Sequence, residues 1–161
     1  MQIKMNIKGL MVDPVTNMPI VILKDEEESR VLPIWVGIFE ANAIALKVED
    51  IETPRPMTHD LLQSLLGASG AKVSKIVVSD LRDNTYFAVI HLRVGRKEHT
   101  IDARPSDALA LALRAGAPIF VEESVLDQAK SIEDEKDISD SERLKKWFEN
   151  LDPDEFSKYE M

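Results

Sequence analysis

A chain of 161 residues, 44% hydrophobic and 30% charged, is long enough for one domain with an appendage and can bury a proper core. No apolar run reaches the roughly 20 residues that cross a bilayer, and without cysteine neither disulfides nor thiolate metal sites are open to it. The formal charge of −9 is uneven: residues 122–161 carry 14 acidic and 6 basic side chains, residues 1–121 carry 15 and 14, and a near-neutral body does not steer strongly toward a long polyanion.

The opening "IKMNIKGLMVD" alternates polar and apolar residues and predicts a half-buried strand. It is unlike a basic-then-apolar secretory leader, so a cytoplasmic address is expected. "DPVTNMP" is turn chemistry, and "IVILKD" and "SRVLPIWV" predict two further strands around the acidic "DEEES". From Gly37 the pattern turns helical over "IFEANAIALKVED", with Ile38, Ala41, Ala45 and Val48 on one face. Pro54 and Pro56 break that helix. Thr58 is then expected as the N-cap of a helix over "HDLLQSLLGASG", closed by Gly67 or Gly70.

"AKVSKIVVSDL" and "TYFAVIHLRVG" read as strands on either side of a tight turn at "RDN", and "KEHTIDA" as a shorter third. Ser106 is expected to cap "DALALALRAG", a helix apolar nearly all round and therefore buried. "APIFV" suits a last short strand or an extended segment, and "EESVLDQAK" a short helix. Residues 131–140 read as a polar linker, and "SERLKKWFENL" as an amphipathic helix with Leu144, Trp147, Phe148 and Leu151 on one side, expected to pack on the body or a second subunit. The grouping of strands, helices and strands predicts an α+β fold with a mostly antiparallel sheet. Residues 1–130 form the expected compact domain, and 131–161 an acidic linker and helical tail.

Two segments share a chemistry that periodicity does not require. "RPMTHDLL" and "RPSDALALAL" each place arginine, proline, a hydroxyl and an aspartate at the head of an apolar run. Proline stiffens the helix start, the hydroxyl caps it, and aspartate suits the positive end of the helix dipole. Arginine is left over. It can pair with the local aspartate as a structural salt bridge, or hold an anion from outside. Should the segments meet, they would gather Arg55, Arg104, His59, Asp60, Asp102 and Asp107. Such a set can neutralise phosphoryl oxygens, supply a base for the nucleophile and protonate a leaving oxygen. The carboxylates can alternatively hold a divalent cation such as Mg. No HxH, HExxH or CxxC spacing supports zinc, and neither GxGxxG nor GxxxxGK supports a nucleotide loop.

Of the three histidines, His59 beside Asp60 in a first helical turn is the acid–base candidate, while His91 in a strand and His99 in "RKEHT" suit structural or solvated roles. Glu40, early in the first helix after "LPIWVGIF", is expected to be partly shielded, which suits a general base or an ion pair with arginine equally. Trp35 is capable of stacking on a base, but core is the expected role.

Together, "LPIWVGIFEANAIA", "RPMTHDLL" and "IDARPSDALALALRAGAPIFVEESVLDQA" closely resemble the bifunctional nuclease domain family over about Lys4 to Lys130. The resemblance implies an α+β fold, self-association as a homodimer or higher homo-oligomer, and nuclease activity on RNA and DNA. It implies no agreed catalytic set. The residues inside the shared motifs that chemistry can use are His59, Asp60, Asp107 and Glu40 as catalytic candidates, with Arg55, Arg104 and Asp102 for substrate. Two other classes compete with a nuclease: a non-catalytic module binding a phosphate-bearing ligand, and a structural or regulatory dimer.

Overall fold

The computed structural model describes residues 1–27 and 29–135, giving seven strands and four helices among them. The expected tail helix with Trp147 and Phe148 lies outside the described residues.

Chain order is β1 (Gln2–Val12), β2 (Pro19–Asp25), β3 (Val31–Trp35), α1 (Ile38–Val48), α2 (Thr58–Ala68), β4 (Ala71–Arg82), β5 (Thr85–Val94), β6 (Lys97–Ala103), α3 (Pro105–Ala115), β7 (Ile119–Glu122) and α4 (Glu123–Glu135). The strands make one sheet in the order β3-β2-β1-β7-β4-β5-β6. Two antiparallel meanders, β1–β2–β3 and β4–β5–β6, are joined by β7, which runs antiparallel to β1 and parallel to β4. The fold is α+β with a mostly antiparallel sheet. "APIFV", open between strand and extended segment on sequence, thus supplies the strand that unites the two halves.

The alternation of β1 aims Ile3, Met5 and Ile7 at the helices, and a bulge between Ile7 and Gly9 keeps Leu10 on the same face. Asp83 and Asn84, with φ of 50° and 60°, turn β4 into β5 in two residues. Left-handed conformation at both suits the twist of the flanking strands. α1 and α3 cover one sheet face, burying Ile44 and Leu109 against Leu23, Ile76 and Val78. On the other face Met11, Ile20 and Ile22 form a small second cluster. Trp35, expected in the core, lies on this face at 40% exposure. Its indole N–H donates to Asp13 Oδ2 at 3.0 Å, so the ring reaches from β3 across Ile20 of β2.

Three local expectations are corrected. Thr58 does not cap α2; it is the first helical residue, Met57 holds the N-cap position, and Asp60 Oδ2 accepts the Met57 N–H at 2.9 Å. An aspartate three residues on replaces the hydroxyl. Ser106 does not cap α3 either: the helix starts at Pro105 with Arg104 at the N-cap position, because proline has a preset φ and no N–H to satisfy. Finally, α4 runs on to Glu135, into the stretch expected as linker, since no proline or glycine interrupts residues 123–135. A left-handed glycine follows two helices, Gly70 (φ 78°) after α2 and Gly116 (φ 65°) after α3, while Asp50 (φ 54°) takes that conformation after α1.

Replacing Asn84 by alanine removes the short polar side chain that lets asparagine tolerate a left-handed turn and leaves the Cβ strain uncompensated. Asn84→Ala is expected to lower stability by about 1 kcal/mol, read as a shifted urea midpoint with unchanged slope.

Candidate functional site

Three helix starts meet at one point, and each contributes a side chain from its first turn. α1 brings Glu40, α2 brings His59, and α3 brings Asp107 with Arg104 at its N-cap position. His59 Nε2 lies 2.9 Å from Asp107 Oδ1. Arg104 donates to Asp107 Oδ2 through Nε at 2.9 Å and lies 2.9 Å from Glu40 Oε1 through Nη2. A continuous polar chain therefore runs Glu40–Arg104–Asp107–His59. Two carboxylates and one guanidinium sum to a formal −1 before the imidazole is counted, and the positive ends of three helices favour that charge.

Gly37 makes room for this arrangement. It is the N-cap of α1, and a Cβ built there would run into the carboxylate of Glu40, whose Cδ would lie 3.2 Å away. Glu40 thus folds back over its own helix start and is shielded, with 17% of its side chain exposed. Of its two expected settings, the structure shows the ion pair with arginine. Arg104 itself is 66% exposed. Its hydrogen bond and charge interaction with Asp107, followed by those with Glu40, hold the guanidinium above even its usual high pKa.

His59 is buried, the only buried residue of α2. With Nε2 on Asp107, its Nδ1 makes no hydrogen bond to a described residue. A carboxylate on one ring nitrogen selects the tautomer with Nε2–H and leaves Nδ1 as the lone-pair nitrogen.

Asp60 sits next to His59 in sequence but turns elsewhere. One oxygen holds the Met57 N–H and the other accepts from Arg114 Nε at 2.7 Å. Burial pushes its carboxyl up, but the Met57 hydrogen bond and the Arg114 hydrogen bond and charge outweigh this and leave it below the usual value. Arg114 went unremarked in the sequence reading, although an arginine in the last turn of an otherwise apolar helix is itself a signal, because a buried charge demands partners.

Arg55 and Asp102 are both exposed. Arg55 stays apart from Arg104: its backbone carbonyl accepts from Thr53 Oγ1 at 2.7 Å, and its side chain forms no ion pair among the described residues. The two Arg-Pro segments meet through His59 and Asp107, so they are not equivalent arms of one clamp. Asp102 stands at the rim of the adjoining groove. Among the described residues, no group of three or more acidic or histidine side chains is placed to hold a metal ion.

The polar chain lines part of an open groove of about 1030 Å³ between α1, α2 and the β5–β6 hairpin. Its other walls are mostly apolar, with Phe39, Leu62, Leu65, Ile90, Leu92 and Ile101 among them.

A family model described as the bifunctional nuclease domain matches residues 21–134, spanning every group named at the site. The chain belongs to the bifunctional nuclease domain family. An uncharacterised protein of Mycobacterium tuberculosis (strain ATCC 25618 / H37Rv) is 37% identical over 162 residues, covering 95% of this chain and 97% of that protein. Bifunctional nuclease 1 of Oryza sativa subsp. indica is 29% identical over 105 residues, which is 63% of this chain and 32% of the rice protein. Bifunctional nuclease 2 of Oryza sativa subsp. japonica is 26% identical over 134 residues, or 80% and 41% of the two chains. This member of the bifunctional nuclease family therefore corresponds to less than half of the plant proteins that carry the name.

The depressed pKa of Asp60 gives a pH signature. Its contribution to stability is present well above 3.8, its ordinary value, and is lost as pH falls through that value toward the lower folded one. Asp60→Asn is expected to be less stable than the parent near pH 7 (about neutral), with the gap narrowing near pH 3, as read by urea unfolding at both.

Proposed function

We propose that this protein is a nuclease that hydrolyses phosphodiester bonds of single-stranded RNA, DNA or both in the groove beside His59. The observation that carries this reading is the His59 Nε2–Asp107 Oδ1 contact of 2.9 Å, which leaves Nδ1 of a groove-lining imidazole as the base nitrogen while an exposed guanidinium binds the other oxygen of the same carboxylate. DNA lacks the 2′-hydroxyl, so one site acting on both polymers uses water as nucleophile. His59 Nδ1 takes a proton from that water as its oxygen bonds to phosphorus. The bond from phosphorus to the leaving oxygen breaks, and that oxygen takes a proton from solvent in the open groove. Asp107 holds the ring in the required tautomer and stabilises the imidazolium that forms. Arg104 Nη1, which makes no hydrogen bond to a described residue, is available to a phosphoryl oxygen, with Glu40 fixing the guanidinium from behind. Phe39 and Ile101, 85% and 45% exposed, offer apolar surface to unpaired bases. Asp102, on the groove lining, and the exposed Arg55 are assigned to flanking nucleotides.

A second reading is supported by the same contacts. Arg104 is already bound to two carboxylates, as expected of a structural pair, so a regulatory module that binds a phosphate-bearing ligand without cleaving it is the alternative. Under it, nucleotide raises the melting temperature and Arg104→Ala removes the rise, with no cleavage at any stage.

The deciding measurement is degradation of single-stranded RNA and DNA by the parent chain, with and without chelator, beside His59→Ala and Asp107→Asn. Each variant is expected to lose about 10²–10⁴ in kcat, and the chelator arm shows whether a cation such as Mg takes part. Cleavage at the parent rate in both variants sinks the nuclease reading for this site.

A cytoplasmic homodimer completes the proposal. No described helix is long and apolar enough to cross a membrane. Leu61, Leu62 and Leu65 expose 53%, 41% and 59% of their surface along α2, an apolar face suited to a second copy, which would then border the groove whose wall Leu62 and Leu65 form. The parent is expected to sediment as a dimer and Leu61→Glu/Leu65→Glu as a monomer; a monomeric parent refutes self-association.

A further inference from the structure

α2 is attached differently from the other helices. α1 and α3 each bury a run of apolar side chains, whereas α2 buries only His59 and turns three leucines outward. Leu66 packs partly against the core, and the remaining grip on α3 is polar. It consists of His59 on Asp107 and Asp60 on Arg114.

The side chain of Arg114 is 3% exposed, against 66% for that of Arg104 at the other end of the same helix. Its guanidinium serves three helices at once. Nη1 donates to Ala110 O of α3 at 2.9 Å, Nη2 to Ala43 O of α1 at 3.0 Å, and Nε to Asp60 Oδ1 of α2 at 2.7 Å. The two carbonyl bonds set the plane of the guanidinium before Asp60 is considered, because the donors form a rigid fork. Asp60 then has one place to go, and its second oxygen, on the Met57 N–H at 2.9 Å, ties the start of α2 to the same point. His59 is the neighbouring residue and takes its position from that anchor.

We infer that Arg114 and Asp60 are positioning residues, whose pair latches α2 onto α3 at the setting that brings His59 to Asp107; the kinetic consequence rests on the nuclease reading above. Neither residue touches the reacting groups. Asp60, grouped with the catalytic candidates on sequence, acts through His59. Lysine at 114 keeps the charge but loses the fork, and asparagine at 60 keeps the shape but loses the charge, so each variant disturbs the latch without emptying the site.

Amide hydrogen exchange and the ring signals of His59 in proton NMR test this on the full chain, using Asp60→Asn and Arg114→Lys. Amides of residues 62–68 are expected to speed up, relative to the parent, at least about tenfold more than β4 and β5 amides, which rise only by the smaller factor that the overall loss of stability sets. The His59 ring signals shift or broaden in both variants. On a cleavable single strand, kcat falls at least about tenfold while KM stays within about threefold. Faster exchange in β4 and β5 to the same degree reduces the pair to ordinary global stabilisation and overturns the inference. So do unchanged α2 amides and His59 signals in both variants. A parent chain without nuclease activity defeats the proposed reaction alone, and the exchange and ring signals then decide the latch by themselves.

Discussion

Burial of α3 is the constraint on which the molecule is organised. Its alanines at 108, 110 and 112 are all but inaccessible, and small side chains let α1 lie close against it while Leu109 fills the space above β4 and β5. A helix wrapped on nearly all sides leaves its polar groups only its two ends. Arg104 and Asp107 occupy the first end and Arg114 the second. Every polar contact that matters at the candidate site therefore involves one terminus of α3, and the neighbouring helices are placed by what those termini demand. Arg114, with 3% of its side chain exposed, would carry a large desolvation penalty without a partner, so Asp60 is drawn in; at the more exposed first end Glu40 and His59 gather by charge and hydrogen bonding.

The electrostatics that result are local. The polar chain is close to neutral once the helix ends are counted, and residues 1–121 are nearly balanced as well. Such a surface does not collect a polyanion from a distance, since the steering field decays within about a Debye length of 10 Å at moderate salt. Under the proposed function, recognition rests on short-range fit: a guanidinium with one free nitrogen, an imidazole, and apolar walls. This combination suits a flexible strand that can lay bases against Phe39 and Ile101 better than a stiff duplex held by many phosphate contacts.

The outer surfaces carry their own tension. β6 forms one sheet edge and is exposed along almost its whole length, with Lys97, Glu98 and His99 near its start; charged side chains on an edge discourage unwanted pairing. The leucine face of α2 has no such protection. A helix held mainly by polar contacts beneath and apolar above is readily shared with another surface, so the proposed latch at Arg114 and the proposed self-association would depend on one element.

Much of this architecture was readable from local pattern. Alternation in "IKMNIKGLMVD" and "TYFAVIHLRVG", the break at Pro54 and Pro56, and the apolar run after Pro105 each depend on neighbours within a turn or a strand, so the α+β class and most elements could be read without coordinates. The chemistry of the two Arg-Pro segments was equally visible, and His59 with Asp107 stood out by residue type. Other features depend on distance in sequence. β7 is four residues long and is defined by neighbours in β1 and β4, so its joining role has no local signature. Arg55 and Arg104 have the same proline after them, yet one ends exposed and apart while the other is bound on two sides, because only Arg104 heads the buried helix. Thr58 and Ser106 carry capping chemistry that Asp60 and Pro105 made unnecessary. Arg114 and Ala43 are 71 residues apart, and no periodicity joins them; what brings them together is the energetic requirement that a buried guanidinium find acceptors wherever packing places them.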